Sequence, residues 1–455
     1  MKRILLKLTT FCTLMTGLTS TLFSQTWQNV GSSGFSAGAT TYTSIAFSTS
    51  GEPHVSYIDA ENDDKVTVMK FNGTAWENVG VAGFSQGVAQ YCSSIKFSSA
   101  GEPYVAFRDA ANSYKATVMK FDGTAWANVG PAGFSAGDAT YNSLAFNSAG
   151  DTAYVAFQDG ANSYKATVML FNGTAWELVG TAGFSAGTVH IPSLAISNDG
   201  VPYVAYQDEA NPYKATVMKF DGTAWVNVGP AGFTPGNISD LSLAISSSGE
   251  PYLAFTDVAN SYKVSVMKFD GTNWVQVGTA GFSDGQGDNI SLVFSPAGEP
   301  HVAFRDAANG VKTTLMKFDG TAWLNIGTEG FSAGNSLNTS LAFSSTGEPY
   351  VAYVDGGNGN KATVMRFSDF GLTINESSES DVVLYPNPAN EIAVIQNIEI
   401  GSTIQITDLS GKLVYADLAT EELVTISTGD FESGVYLVQT IFDGKFQQGK
   451  LVVQH

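Results

Sequence analysis

Cysteine, histidine and basic charge are all scarce in this chain. Two cysteines stand in 455 residues. Cys12 lies in an apolar N-terminal stretch, so Cys92 has no intrachain partner, and the fold must rest on packing and hydrogen bonds. Lys and Arg number 22 against 42 Asp and Glu, a net charge of −20, which excludes the basic footprint of a nucleic-acid binder. The four histidines, His54, His190, His301 and His455, show no metal-pair spacing, so no zinc or iron site and no cofactor is expected. His54 and His301 replace a recurrent tyrosine and are expected to be packed in a strand. Apolar material is not scarce: 44% of residues are hydrophobic, which excludes global disorder.

The two ends read as addresses. Lys2, Arg3 and Lys7 precede an uncharged stretch from Leu8 to Leu22, with small Ser24 at a plausible cleavage point, so residues 1–24 are expected to be a signal peptide. Beyond it no uncharged run approaches bilayer length, and no transmembrane segment is expected in the mature chain. Residues 369–381 are polar and acidic, as in a linker. Residues 382–455 then show several short alternating strands separated by turn signals, the pattern of a small Ig-like β-sandwich. Tyr385-Pro-Asn-Pro388, Asp408-Leu-Ser-Gly-Lys412, Ser433-Gly-Val-Tyr436 and Gly449-Lys-Leu-Val-Val453 occur here in order. With these pieces the segment resembles the C-terminal sorting domain of the type IX secretion system of Gram-negative bacteria. The resemblance implies that Pro386, Asn387, Pro388, Gly411, Lys412, Gly434, Tyr436 and Lys450 form the sorting motifs. It also implies recognition by the translocon and delivery to the cell surface or outside the cell.

Between the ends lies an internal repeat. Seven tryptophans, at 27, 76, 126, 176, 225, 274 and 323, are 49 or 50 residues apart. Each repeat holds four strand candidates, called A (as in Ser143-Leu-Ala-Phe), B (Tyr154-Val-Ala-Phe157), C (Ala166-Thr-Val-Met-Leu-Phe171) and D (the Trp strand). C and D are joined by Asn-Gly or Asp-Gly, the dipeptides of a tight hairpin. Near-continuous apolar runs point to sheets buried on both faces. The first repeat begins with a Trp strand and the last, ending at Phe367, stops just before one. A seven-bladed β-propeller over residues 25–368 is therefore expected, the strand at Trp27 closing the last blade. A ring without free edges is expected to be monomeric.

In such blades the B–C loops and D–A crossings share one face of the disc. The crossings diverge: TTYT (40–43), AQYC (89–92), ATYN (139–142), VHIP (189–192), ISDL (238–241), GDNI (287–290) and SLNT (336–339). Divergence on one face fits a partner surface, and it equally fits loops that nothing constrains. Candidate ligand contacts are Arg108, Gln158, Gln207 and Arg305, at a variable position just before the B–C loop that is Ile58, Thr256 and Val354 in other blades. A second set is Tyr114, Tyr164, Tyr213 and Tyr262 at the loop tips, and a third is Asp138, His190 and Asp288 in the crossings. The tyrosines suit sugar or peptide, though the same rings could pack on a neighbouring blade.

Other motifs mislead. Gly34-Phe-Ser-Ala-Gly38 and its variants match a nucleophile elbow, but seven copies between strands, one with Thr234 in place of Ser, argue for a crossing loop with an aromatic plug. Asp109-x-x-Asn112-x-x-Lys115 and its equivalents offer too few oxygens for calcium and read as Asx turns with a Lys partner. The Asp-Gly-Thr-x-Trp turn is only loosely similar to a sialidase Asp-box, because Asp and Gly adjoin. Arg366, taken to follow the last C strand, does not share the position of Arg108 and Arg305, so a sialidase arginine cluster is not expected. The expected function is non-enzymatic binding of a glycan or protein. The alternative is a polysaccharide hydrolase or lyase at the channel mouth, for which Asp138, Asp240 and Asp288 are the blade-specific acids, in blades taken not to be neighbours.

Overall fold

Apolar and β-branched runs bounded by glycine turns form strands in every repeat. The computed structural model describes residues 25–369 and 382–455, apart from 397, 409–412 and 443–444. The expected signal peptide, nearly all of the linker, and Gly411 and Lys412 lie outside the described residues. The protein is all-β and divides into two units at residues 371 and 372.

Blade 2 illustrates the repeat, with strands A (Ala89–Phe97), B (Pro103–Asp109), C (Lys115–Phe121) and D (Trp126–Asn128) in antiparallel order. The A strands of blades 1 and 3 to 7 begin at Thr40, Ala139, Val189, Ile238, Gly287 and Ser336. The middle of strand B is apolar because each blade is sandwiched between two others, and Val105, Ala106 and Phe107 are fully buried. At the C–D hairpin Gly123 takes a positive φ of 97°, and the Asp122 carboxylate accepts the N–H groups of Thr124 and Ala125.

The ring closes as the repeat arithmetic requires. Gln25–Asn29 pairs antiparallel with Lys361–Asp369, bringing Trp27 opposite Phe367 and Asn29 opposite Met365, and so completes blade 7. Two circles of hydrogen bonds reinforce closure. On the inside, Ile45 N–H donates to Ser340 Oγ at 3.1 Å across the junction of blades 7 and 1. The A-strand serine accepts in the same way at the other six junctions, from Ile95, Leu144, Leu194, Leu243, Leu292 and Leu341. On the outside, each indole N–H donates to a carbonyl of the preceding blade, Trp27 to Ile326 at 2.9 Å and Trp126 to Val79 at 2.7 Å. Each Trp also lies flat on the Phe of a Gly-Phe-Ser motif, as Trp126 does on Phe84 at 4.0 Å. Such a stack is worth about 0.5–1.5 kcal/mol beyond its buried area.

The motifs that imitate chemistry are locks. Ser135 Oγ accepts Ala116 N–H at 2.9 Å and donates to the Gly137 carbonyl at 2.7 Å, buried, so it is no nucleophile. Thr234 makes the same two bonds, which is why Thr replaces Ser there. Asp109 is buried at the head of the B–C loop. It accepts from Ala111 N–H, Asn112 Nδ2 and Thr117 Oγ1 at 2.8–3.0 Å. The expected Lys partner is corrected: Lys115 pairs with Asp109 through the backbone ladder, while the strand C threonine takes the carboxylate.

The C-terminal unit packs a three-stranded sheet (Val383–Tyr385, Ile392–Gln396, Leu423–Ser427) and a four-stranded sheet (Thr403–Asp408, Leu413–Leu418, Gly434–Phe442, Lys445–Val453) around Ile395, Ile404, Ile406, Ile426, Val438 and Leu451. The residues that carry the resemblance noted above also hold the unit together. Asn387 sits between Pro386 and Pro388, donates to the Lys450 carbonyl at 2.6 Å and accepts Val452 N–H at 2.8 Å, so it acts as one more rung beside the last strand. Tyr436, two residues past Gly434, is buried with its hydroxyl on the Glu432 carbonyl.

Candidate functional site

The crossings run back along strand C to the B–C loops, so both elements share a face: Ala139 N–H donates to the Tyr114 carbonyl, and Gly160 N–H to the Asp138 carbonyl. Three concentric sets of side chains vary there above the repeated locks.

The outer set sits at the B–C loop tips. Tyr114, Tyr164, Tyr213 and Tyr262 occupy blades 2 to 5 with left-handed φ of 55–63° and are 42–47% exposed. Asp64, Val311 and Asn360 take this conformation in blades 1, 6 and 7. A bulky residue in the left-handed region costs on the order of 1 kcal/mol or more, and such strain persists where the surroundings over-determine it. Here the Asp-Asn-Thr lock beneath does so. Tyr114 is also covered by Arg108, whose guanidinium carbon lies 4.1 Å from the ring centroid.

The middle set consists of cross-strand partners. The second crossing residue faces the residue before the loop Asp: Thr41 with Ile58, Gln90 with Arg108, Thr140 with Gln158, His190 with Gln207, Asp288 with Arg305, and Leu337 with Val354. Leu337 with Val354 pairs apolar with apolar and Asp288 with Arg305 pairs opposite charges, while the other four pairs include at least one uncharged polar partner. Arg108 gives Asp138 two hydrogen bonds at 2.6 and 2.8 Å and a third to Gln90. Arg305 grips Asp288 with two at 2.7 and 2.6 Å. Gln158 is buried and donates to the Val189 carbonyl of the next blade at 2.6 Å. Gln207 and Thr256 reach the Ile238 and Gly287 carbonyls in the same way. Arg108, Gln158, Gln207 and Thr256 thus hold neighbouring blades together, an occupation their variability did not suggest, whereas the Arg305–Asp288 pair lies within blade 6. His190 lies 3.9 Å from Glu209, its ring 6.0 Å from Tyr213.

The inner set was not singled out from the sequence. A β-bulge interrupts each A strand at the channel, and the third crossing residue sits in it: Tyr42, Tyr91, Tyr141, Ile191, Asp240, Asn289 and Asn338. All except Asp240 are left-handed, because the bulge of blade 5 resumes pairing one residue earlier. One side is aromatic, Tyr91 lying 5.5 Å from Tyr42 and 4.6 Å from Tyr141 between ring centroids. The other side is polar. Asn338 Oδ1 accepts Tyr42 N–H at 2.9 Å, Asn289 Oδ1 accepts Asn338 N–H, and Asp240 Oδ2 accepts Ile290 N–H at 3.0 Å.

Two placements correct the sequence reading. Asp240 and Asp288 belong to adjacent blades, 5 and 6. Asp240 is half-buried in the throat of the channel, and its carboxyl is pushed up to about 6 by desolvation, helped by the charge of Asp288 and opposed by the N–H groups of Ile290 and Leu241. Arg366 lies inside the last C strand, its guanidinium 3.4 Å from the Tyr350 hydroxyl. His54 and His301 are packed in strand B as expected, each ring against a Phe of the next blade and each bonded through Nδ1 to a main-chain carbonyl. Burial holds both below the usual imidazole range. Among the described residues no group of three or more potential ligands could hold a metal ion, and no helix is long and apolar enough to cross a membrane.

Residues 383–454 match the family described as the secretion system C-terminal sorting domain. The C-terminal unit is that domain, and the protein is delivered by type IX secretion to the cell surface or extracellular space. Solved structures similar in fold include a polysaccharide lyase, an ulvan lyase (11% identity, 72% of this chain and 94% of that one, TM-score 0.48). Others are the α-L-arabinofuranosidase of Fusarium graminearum (14%, 61% and 92%, 0.41) and the lectin of Aleuria aurantia (16%, 64% and 97%, 0.43). No curated protein matches the chain significantly.

Proposed function

We propose that the propeller is a non-enzymatic binding module, carried out of the cell by its sorting domain, that holds an extracellular glycan or protein on the face formed by the crossings and B–C loops. The observation that carries this reading is the arc of four exposed, left-handed tyrosines on consecutive blades. They are exposed rings that combine an apolar face with a hydroxyl, held at a conformational cost that Gly in their place would not bear. Arg108 stiffens the arc at Tyr114, and His190 stands beside Tyr213. Arg305, Asp138 and Asp288 set the charge of the same face through their pairs.

One observation favours the alternative of a hydrolase or lyase: Asp240, raised to about 6, stands beside Asp288 in the next blade. Against it, Asp240 accepts main-chain N–H groups on both oxygens and Asp288 is gripped by Arg305, so neither carboxylate is free to meet substrate. The test is a glycan and protein array with the whole secreted protein, followed by a reducing-sugar and unsaturated-product assay on each hit. Binding without turnover, weakened tenfold or more by Tyr164→Ala with Tyr213→Ala, is the expected result. Turnover abolished by Asp240→Asn would replace the binding reading with the enzymatic one.

A further inference from the structure

The tyrosine arc stops at blade 1, and the change there makes a cavity. A cleft of about 370 Å³ opens between blades 1 and 2, lined by Thr41, Tyr42, Ile58, Asp64, Val88, Ala89, Gln90 and Tyr91. Its volume lies within the range of small-molecule sites. Asp64 holds the left-handed tip position that is Tyr in the next four blades, so a carboxylate replaces a ring and leaves the space open. The rings of Tyr42 and Tyr91, 5.5 Å apart and at 61° to each other, form an aromatic corner. Gln90 supplies a donor: Arg108 donates to its Oε1, which turns the amide N–H groups away from the guanidinium. Val88, 39% exposed, adds an apolar rim.

We infer that this cleft is a binding subsite for one neutral sugar ring. The inference rests on the proposed binding face and names the ligand class and the place. A pyranose or furanose has an apolar C–H face for the tyrosines and vicinal hydroxyls that both donate and accept. The Asp64 carboxylate takes the donated hydrogen bond, and the Gln90 amide supplies the one the sugar accepts. A uronate or sulfated sugar is excluded by charge, because Glu61, Asp63 and Asp64 crowd acid into this B–C loop alone, where the corresponding tips of blades 2, 3 and 5 read Ala-Asn-Ser-Tyr. A peptide strand is a poorer fit, since the cleft runs only between two blades and offers no free strand edge.

The test uses the whole protein and saturation-transfer NMR with the methyl glycosides of glucose, galactose, mannose, fucose and glucuronate. Transfer to at least one neutral glycoside and none to the glucuronide is expected. Asp64→Tyr restores the residue that four other blades carry, so it is compatible with the fold. It should fill the cleft and reduce that transfer at least tenfold, while Glu250→Gln, in an A–B turn away from the proposed face, leaves it unchanged. Equal transfer to the glucuronide, or transfer indifferent to Asp64→Tyr, overturns the cleft. Array binding that depends on Tyr164 and Tyr213 but not on Asp64 likewise sinks the subsite and leaves the binding face standing. Silence of every neutral glycoside with the folded protein also refutes the subsite.

Discussion

The two faces of the disc are built from the same seven repeats and differ in what they tolerate. On the A–B and C–D side, Lys70, Lys120, Lys268 and Lys317 meet Glu52, Glu102, Glu250 and Glu299 in the same pairing in blades 1, 2, 5 and 6. On the opposite side a buried layer repeats in all seven blades, the Asp-Asn-Thr lock (Ser265 for Thr in blade 5) and the Gly-Phe-Ser loop (Thr234 for Ser once). Above it the crossing and tip residues differ among blades, the tip Tyr of blades 2 to 5 giving way to Asp64, Val311 and Asn360. Uniformity below permits variety above, because a lock that fixes the loop backbone frees the tip residue from any structural duty.

Removing a lock should erase that difference most severely. Asp159→Ala strands Asn162, Thr167 and the Ala161 N–H in a buried site, and a loss of about 3–5 kcal/mol is expected in denaturant unfolding. A loss under about 1 kcal/mol would show that the locks do not carry the face. The next effect is pH-dependent. The folded pKa of Asp240, about 6, exceeds the ordinary carboxylate value, so the folded state binds the extra proton between about pH 4 and pH 6 and stability falls as pH rises through that window. Asp240→Asn removes the titrating group, leaving one acceptor oxygen where Asp240 takes the N–H groups of Leu241 and Ile290, and it should abolish the fall in stability between pH 4 and pH 6. An unaltered slope between pH 4 and pH 7 for the variant would remove Asp240 as its source. The smallest effect belongs to the tips. Tyr164→Gly relieves the left-handed strain and loosens the unfolded chain, and the two should cancel to within about 1 kcal/mol. Ligand binding should nonetheless drop, which separates the tip from the lock beneath it.

Much of this was legible in the chain itself. The tryptophan spacing counted the blades, and the unmatched strand at Trp27 with the missing one after Phe367 foretold how they join. The structural rather than chemical use of Ser135 and Asp109 followed from seven-fold repetition, since chemistry needs one such residue and a scaffold needs them all, though not the threonine that holds the carboxylate. The inner ring was hidden because the bulge is set by backbone geometry, which Tyr91, Ile191 and Asn289 all adopt despite their different costs, so no residue type marks it. The engagement of Gln158 and Arg108 was hidden because their acceptors lie in the next blade, about thirty residues on. The adjacency of Asp240 and Asp288 was in plain view as a separation of 48 residues, one repeat.

The seam between Gln25–Asn29 and Lys361–Asp369 sets an order of events for an exported chain. The first strand emerges hundreds of residues before its mate, so the disc stays unlatched until the stretch immediately ahead of the sorting domain has also cleared the inner membrane. Circularity thus doubles as a check on length: a polypeptide that ends before Lys361–Asp369 has no mate for its first strand and cannot shut.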